Sequence, residues 1–105
     1  MDEMCEIAIN LVMCAGDSRS SSMKAIQAAR EFRFDDANAL IREAEEKFVS
    51  AHEIQTKLIQ REAAGEKNEV ILMMVHAQDH LSMAMTTYEN AKEFLNLYQL
   101  INKLQ

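Results

Sequence analysis

In the last third of the chain, apolar residues recur in strict steps of four and three: Val70, Met74, Ala77, Leu81, Ala84, Tyr88, Ala91, Leu95 and Tyr98. Only an α-helix brings such positions onto one side, because a strand would need a period of two. The helix is expected to start after "GEKN", with Asn68 as N-cap and Glu69 in the first turn. A seam this long has to be covered by other helices.

The rest of the chain supplies them. Asp35 is the expected N-cap of a second helix, with Asp36 in its first turn. Ala37, Ile41, Ala44, Phe48, Ala51, Gln55 and Leu58 repeat the four-and-three pattern with one polar member. Arg61 lies in the last turn, and Gly65 is placed as the C′ residue. A first helix is expected from about Asp2 to Arg33, kinked or briefly broken over "AGDSRSSS", where Gly and Ser interrupt better helix formers. Proline is absent, and Gly16 and Gly65 are the only glycines. These features predict an all-α fold: an up-down-up antiparallel three-helix bundle, with residues 1–105 as a single domain.

The formal charge is −6, with both signs mixed along the chain and no Lys/Arg block. Nucleic acid and anionic membranes are therefore poor partners. The opening Met-Asp-Glu-Met lacks the cationic start of a secretory signal. The apolar stretch from Ala8 to Ala15 is too short to span a bilayer. A cytoplasmic protein with no direct membrane insertion is expected. Cys5 and Cys14 would sit roughly 13 Å apart on one helix, too far for a disulfide, and read as buried free thiols.

The third helix carries a second stripe. Asp79 points roughly 180° from the centre of the seam, and Leu72, Val75, Met83 and Leu97 point the same way. A helix buried on both faces needs another partner, and an identical copy is the simplest one. Around a rotation axis the copies of Asp79 would converge and repel; a divalent cation there would resolve this, since hard cations favour carboxylate oxygens. The plainer reading leaves Asp79 solvated at a groove edge. His76 lies about 60° around from Asp79, on the flank of the stripe, and His80 follows one turn later on the same side.

Several chemistries are excluded. "HAQDH" lacks the Glu that follows the first His in zinc metalloproteases. Di-iron bundles need Glu-x-x-His, whereas His52, His76 and His80 are preceded at that spacing by Val49, Met73 and Ala77. No glycine-rich phosphate loop or Ser-His or Cys-His nucleophile pattern is present. A neutral imidazole remains available as a nucleophile. On a phosphoryl group it forms a phosphohistidine, and such transfer demands mainly positioning and charge stabilisation. His80, or the hydroxyls of Ser82 and Thr86, would then offer hydrogen bonds to phosphoryl oxygens.

"VHAQDHL", with Met83, Ala84 and Met85 just beyond it, resembles the active-site helix of enzyme IIA of the lactose/cellobiose family, part of the bacterial phosphoenolpyruvate-dependent sugar phosphotransferase system. "AGDSRSSSMKAIQAAREFRFDDA" is similar to that family's first-helix segment, and "EAEEKFVSAHEIQTKLIQREAAGEKNEV" to its second helix and turn. The resemblance covers essentially the whole chain, although "SRSSSM" is richer in Ser than the family's pattern. It implies that His76 is the phosphorylated residue, carrying phosphate on Nε2 (tele). The phosphoryl group would come from the phosphocarrier HPr and pass to a cysteine of the cognate enzyme IIB, during uptake of a β-linked disaccharide of the lactose, cellobiose or chitobiose type. It further implies a homotrimer of nine helices, in which Asp79 of the three copies holds magnesium or another divalent cation on the axis. Gln78 and His80 match neighbouring motif positions and would support His76, although Gln78 also reads as a hydrogen bonder within the bundle. Arg19 reads either as a phosphate ligand or as a surface ion-pair partner. Two other classes stand beside this reading: a non-catalytic trimeric helical interaction module, and a metal-binding bundle using His76 and His80.

Overall fold

The computed structural model describes residues 2–105, which form three α-helices: α1 (Glu3–Arg30), α2 (Phe34–Ala63) and α3 (Leu72–Lys103). The Asp2 carboxylate starts α1 by accepting the Cys5 amide N–H at 2.8 Å, and Glu3 and Glu6 place negative charge in the first turn. From there α1 runs unbroken through "AGDSRSSS", so the break allowed for there is absent. Ser18, Ser21 and Ser22 are buried. Ser18 and Ser22 belong to a seam in steps of four and three, Met4, Ala8, Leu11, Ala15, Ser18, Ser22, Ala25 and Ala29, every member of which is buried, and Ser21 lies beside it. The Ser18 hydroxyl donates to the Ala44 carbonyl of α2 at 2.8 Å. Packing thus overrides weak local propensity.

α1 is sandwiched between α2 and α3, which touch each other less. On the α2 side Ala37, Ala44, Ala51 and Leu58 are buried, one every two turns. Alanine facing alanine and serine lets two backbones come close. One apolar cluster joins Met4, Ala8 and Leu11 of α1 to Leu58 of α2 and to Met74 and Leu81 of α3. The other joins Ala28 and Ala29 to Ala37 and Leu95. The start of α1 therefore meets the end of α2 and the start of α3, which is the up-down-up order expected. The elongated bundle measures 57 × 25 × 18 Å. Phe48 of α2 stacks on buried Tyr88 of α3 at 6.2 Å, with the Lys92 ammonium 4.4 Å from the Tyr88 ring centre. Burial pushes the Tyr88 phenol above its ordinary pKa, and the Lys92 charge opposes this.

The connections hold one agreement and two departures. Gly65 sits at φ 91°, its N–H donating to the Glu62 carbonyl and that of Glu66 to the Arg61 carbonyl, both at 3.0 Å. This is a Schellman end with Gly65 at C′, as its position suggested. The same closure ends α1, with Phe32 in the left-handed region at φ 60° and the Arg33 N–H reaching the Ala28 carbonyl. That tight corner lets α2 start at Phe34, before Asp35 can cap it; Arg33 instead grips Asp36 at 2.8 Å. Nor does Asn68 cap α3. Its amide donates to the Leu58 carbonyl at 2.7 Å, tying the loop to α2, and α3 begins later, at Leu72 after Ile71. Val70 is left exposed before the helix, while Met74, Ala77, Leu81, Ala84, Tyr88, Ala91 and Leu95 are buried as the seam requires and Tyr98 is half-buried. Cys5 and Cys14 are free thiols, half-buried rather than fully enclosed.

Candidate functional site

The core seam of α3 fixes where its other faces point. Leu72, Val75, Met83 and Leu97 lie exposed along the outer face, joined by Phe94, within about 60° of Asp79. In one chain this second stripe faces solvent, and Asp79 stands exposed within it. Among the described residues no three His, Cys, Asp or Glu side chains are grouped to hold a metal ion, so Asp79 of a single chain makes no metal site. It could supply one carboxylate to a site shared between copies. His76 and His80 likewise lack a third donor.

His76 is exposed and His80 half-buried, one turn apart on the flank of the stripe. Their Nε2 atoms lie 3.0 Å apart, with the rings edge to face at 84° and centroids 4.4 Å apart. At that distance one Nε2 carries a proton and donates while the other accepts with its lone pair. With His80 as donor, His76 is the tautomer protonated on Nδ1, and its Nε2 holds a lone pair. A hydrogen bond of this kind selects the tautomer that can attack an electrophile through Nε2.

The other sequence-chosen residues divide. Gln78 turns inward: its Oε1 accepts from Gln55 Nε2 at 2.8 Å, and its own amide contacts the Met74 sulfur at 3.5 Å. It joins α3 to α2 through the polar member of the α2 seam. Ser82 and Thr86 line a hollow of about 290 Å³ with Arg19 and Thr87, separate from the lining that contains His80. His52 stacks on Phe48 at 5.9 Å and joins no cluster with the other two histidines.

Beside His80 a larger cavity opens, of about 530 Å³, whose lining includes Gly16, Arg19, Ser20, Lys24 and Arg30 of α1. Three cations and no carboxylate line it, on a chain of net charge −6. Arg19 makes no ion pair among the described residues. Sequence reasoning weighed Arg19 but not Lys24, Arg30 or Gly16. A clue lay in the spacing of Arg19, Met23, Ile26 and Arg30, which share one side of α1.

The family model for the lactose/cellobiose-specific IIA subunit of the phosphotransferase system matches residues 6–99. The chain belongs to this family. It is 44% identical over 102 residues to the lichenan-specific phosphotransferase enzyme IIA component of Bacillus subtilis, covering 97% of this chain and 93% of that one. The cellobiose-specific enzyme IIA of Bacillus anthracis superposes with a TM-score of 0.95 at 39% identity, over 98% of this chain and 94% of the other. The IIA component in the chitobiose IIA–HPr complex of Escherichia coli superposes with a TM-score of 0.82 at 31% identity, over 97% of this chain and 99% of that one. As a IIA component the chain is part of a phosphotransferase system, and no helix among its described residues is long and apolar enough to cross a membrane.

Proposed function

We propose that this IIA subunit is a phosphoryl carrier and that His76 carries the group on Nε2. The observation that supports it is the imidazole pair, exposed His76 and half-buried His80 with Nε2 to Nε2 at 3.0 Å, beside a cavity lined with cations. In the resting pair the His80 N–H occupies the His76 lone pair. When phosphorus arrives, the lone pair is released to form the new P–N bond, and the donor's bond to phosphorus breaks with its electrons left on the donor. The freed His80 N–H then donates to a phosphoryl oxygen, which becomes the better acceptor because it is charged. Transfer onward reverses these steps.

The donor in this reading is HPr, the partner named in the chitobiose IIA complex, and the acceptor is a cysteine of the cognate enzyme IIB. The relatives named for lichenan and cellobiose favour a β-linked disaccharide as the sugar imported. The exposed second stripe of α3 favours a cytoplasmic homotrimer, nine helices in all, with the stripe covered by sister subunits. The Asp79 carboxylates would meet on its axis and hold magnesium or another divalent cation, which would neutralise them. Gln78 keeps the helical turn that bears His76 fastened to α2.

The test is incubation with phosphoenolpyruvate, enzyme I and HPr, followed by mass spectrometry of the acid-labile phosphate. Label on His76, lost in His76→Ala, is expected. An unlabelled wild type, or equal labelling of the variant, would reject the carrier reading in favour of an interaction module.

A further inference from the structure

The 3.0 Å separation that lets the Nε2 atoms of His76 and His80 share a proton also suits a shared metal ion. An imidazole nitrogen binds a divalent ion such as zinc at about 2.0–2.1 Å. At that bond length, two nitrogens 3.0 Å apart subtend about 94° at the ion. This is close to the right angle between neighbouring ligands in a square-planar or tetragonal site, the geometry of copper(II) and nickel(II). A tetrahedral zinc ion would need its two nitrogens about 3.3 Å apart. Of the first-row divalent ions, copper(II) is generally bound most tightly by such a site.

The helix holds the pair ready. His76 and His80 stand one turn apart on α3, so the backbone fixes their spacing and only the side chains need adjust. The hydrogen bond aims one lone pair along the line between the nitrogens, whereas an ion sits off that line. The broad torsion between Cβ and each ring allows the turn from one arrangement to the other. His80 then carries its proton on Nδ1, which frees both Nε2 lone pairs. No third His, Cys, Asp or Glu among the described residues joins the pair. The chain therefore supplies two neighbouring ligands and leaves the other positions to water, too few for a structural zinc site with four protein ligands. Met73 and Met83 stand exposed, three residues before His76 and three after His80, so thioether sulfur, a ligand that copper accepts, borders the pair at both ends.

We propose that His76 and His80 chelate copper(II), and that this ion and the phosphoryl group compete for His76 Nε2. The chelation stands on the geometry of the pair, and the competition rests on the carrier reading. Both occupants need the same lone pair. An ion on Nε2 leaves nothing to attack phosphorus, and a P–N bond leaves His80 without its chelating partner. By linkage, each lowers the affinity for the other by the same factor.

Copper(II) chloride titrated into the full chain, followed by electron paramagnetic resonance, tests this. The wild type should bind one ion per chain in a tetragonal site with two equatorial nitrogens, at least about tenfold more tightly than His76→Ala or His80→Ala. Those two variants should lack the two-nitrogen signal, while His52→Ala and Asp79→Leu keep it. Wild type phosphorylated through HPr and freed of the donor proteins should also lack the signal, and regain it once the phosphate has hydrolysed. A wild type without the signal overturns the chelation, as does a signal that survives in His76→Ala or His80→Ala or is lost in His52→Ala or Asp79→Leu. Equal signals from the phosphorylated and unphosphorylated chain overturn the competition. A wild type that takes up no phosphate ends the carrier reading and the competition with it, and the spectra of the unphosphorylated chain still decide the chelation.

Discussion

Two serines on one face of α1, one turn apart, should respond in opposite directions to the same substitution. Ser18 and Ser22 are both fully buried. The Ser18 hydroxyl donates to the Ala44 carbonyl at 2.8 Å, whereas Ser22 Oγ is buried with no partner. Ser18→Ala removes a hydrogen bond with a net value of about 1 kcal/mol, while alanine's better helix propensity returns roughly 0.5 kcal/mol. The expected result is a loss of about 0.5–1 kcal/mol. Ser22→Ala removes a hydroxyl that left water and gained nothing, relieving about 1–3 kcal/mol, with the same propensity gain added. The two variants should therefore differ by at least about 2 kcal/mol, with the wild type between them. Urea unfolding followed by helical circular dichroism measures this, at one fixed protein concentration so that any association is held constant. Two variants that shift the midpoint the same way would refute the hydrogen-bond assignment. It would mean that packing volume along α1, rather than polar satisfaction, sets the cost.

Gly65→Ala should destabilise by about 1 kcal/mol in the same assay; the built Cβ meets nothing there, so left-handed backbone strain at φ 91° is the whole effect. Tyr88 ties stability to alkaline pH. Its folded pKa is raised above the ordinary 10.0, chiefly by burial, so its contribution is complete below pH 10 and is lost as pH rises through the folded value. Melting temperatures should fall above about pH 10 in the wild type and less steeply in Tyr88→Phe; equal slopes would contradict this. If the chain assembles as the proposed homotrimer, Asp79→Leu should leave that trimer folded, because it would replace converging charges with apolar contact; dissociation seen by sedimentation would show instead that a metal cluster is required for assembly.

The parts of the fold legible in the sequence were those governed by one helix at a time. The seam of α3 could be read because every member is apolar, and Gly65 because a positive φ selects glycine almost alone. The serine-rich middle of α1 was misread because propensity speaks for the isolated segment, while Ala44 and the neighbouring helices act on the folded one. Yet the steps of four and three run through Ser18 and Ser22 without a fault, and counting them as small residues rather than polar ones would have recovered the seam. Asn68 and Asp35 looked like caps because their side chains suit that task. The Leu58 carbonyl claimed Asn68, and the tight Phe32 corner started α2 before Asp35. At the site, the shared direction of His76 and His80 followed from their spacing, since both stand on one helix. The cavity did not, because its walls come from α1 and α3, and only the bundle's geometry brings Gly16 and Arg19 beside His80.

The seam that runs through α1 is narrow, with Leu11 its one bulky side chain fully enclosed and alanine or serine filling most other places. Leu72, Val75, Met83, Phe94 and Leu97 meanwhile remain on the surface. Such a chain withholds much of its water-averse mass from its own interior. In the proposed trimer sister subunits would cover that greasy flank, and dilution would then become a denaturing force.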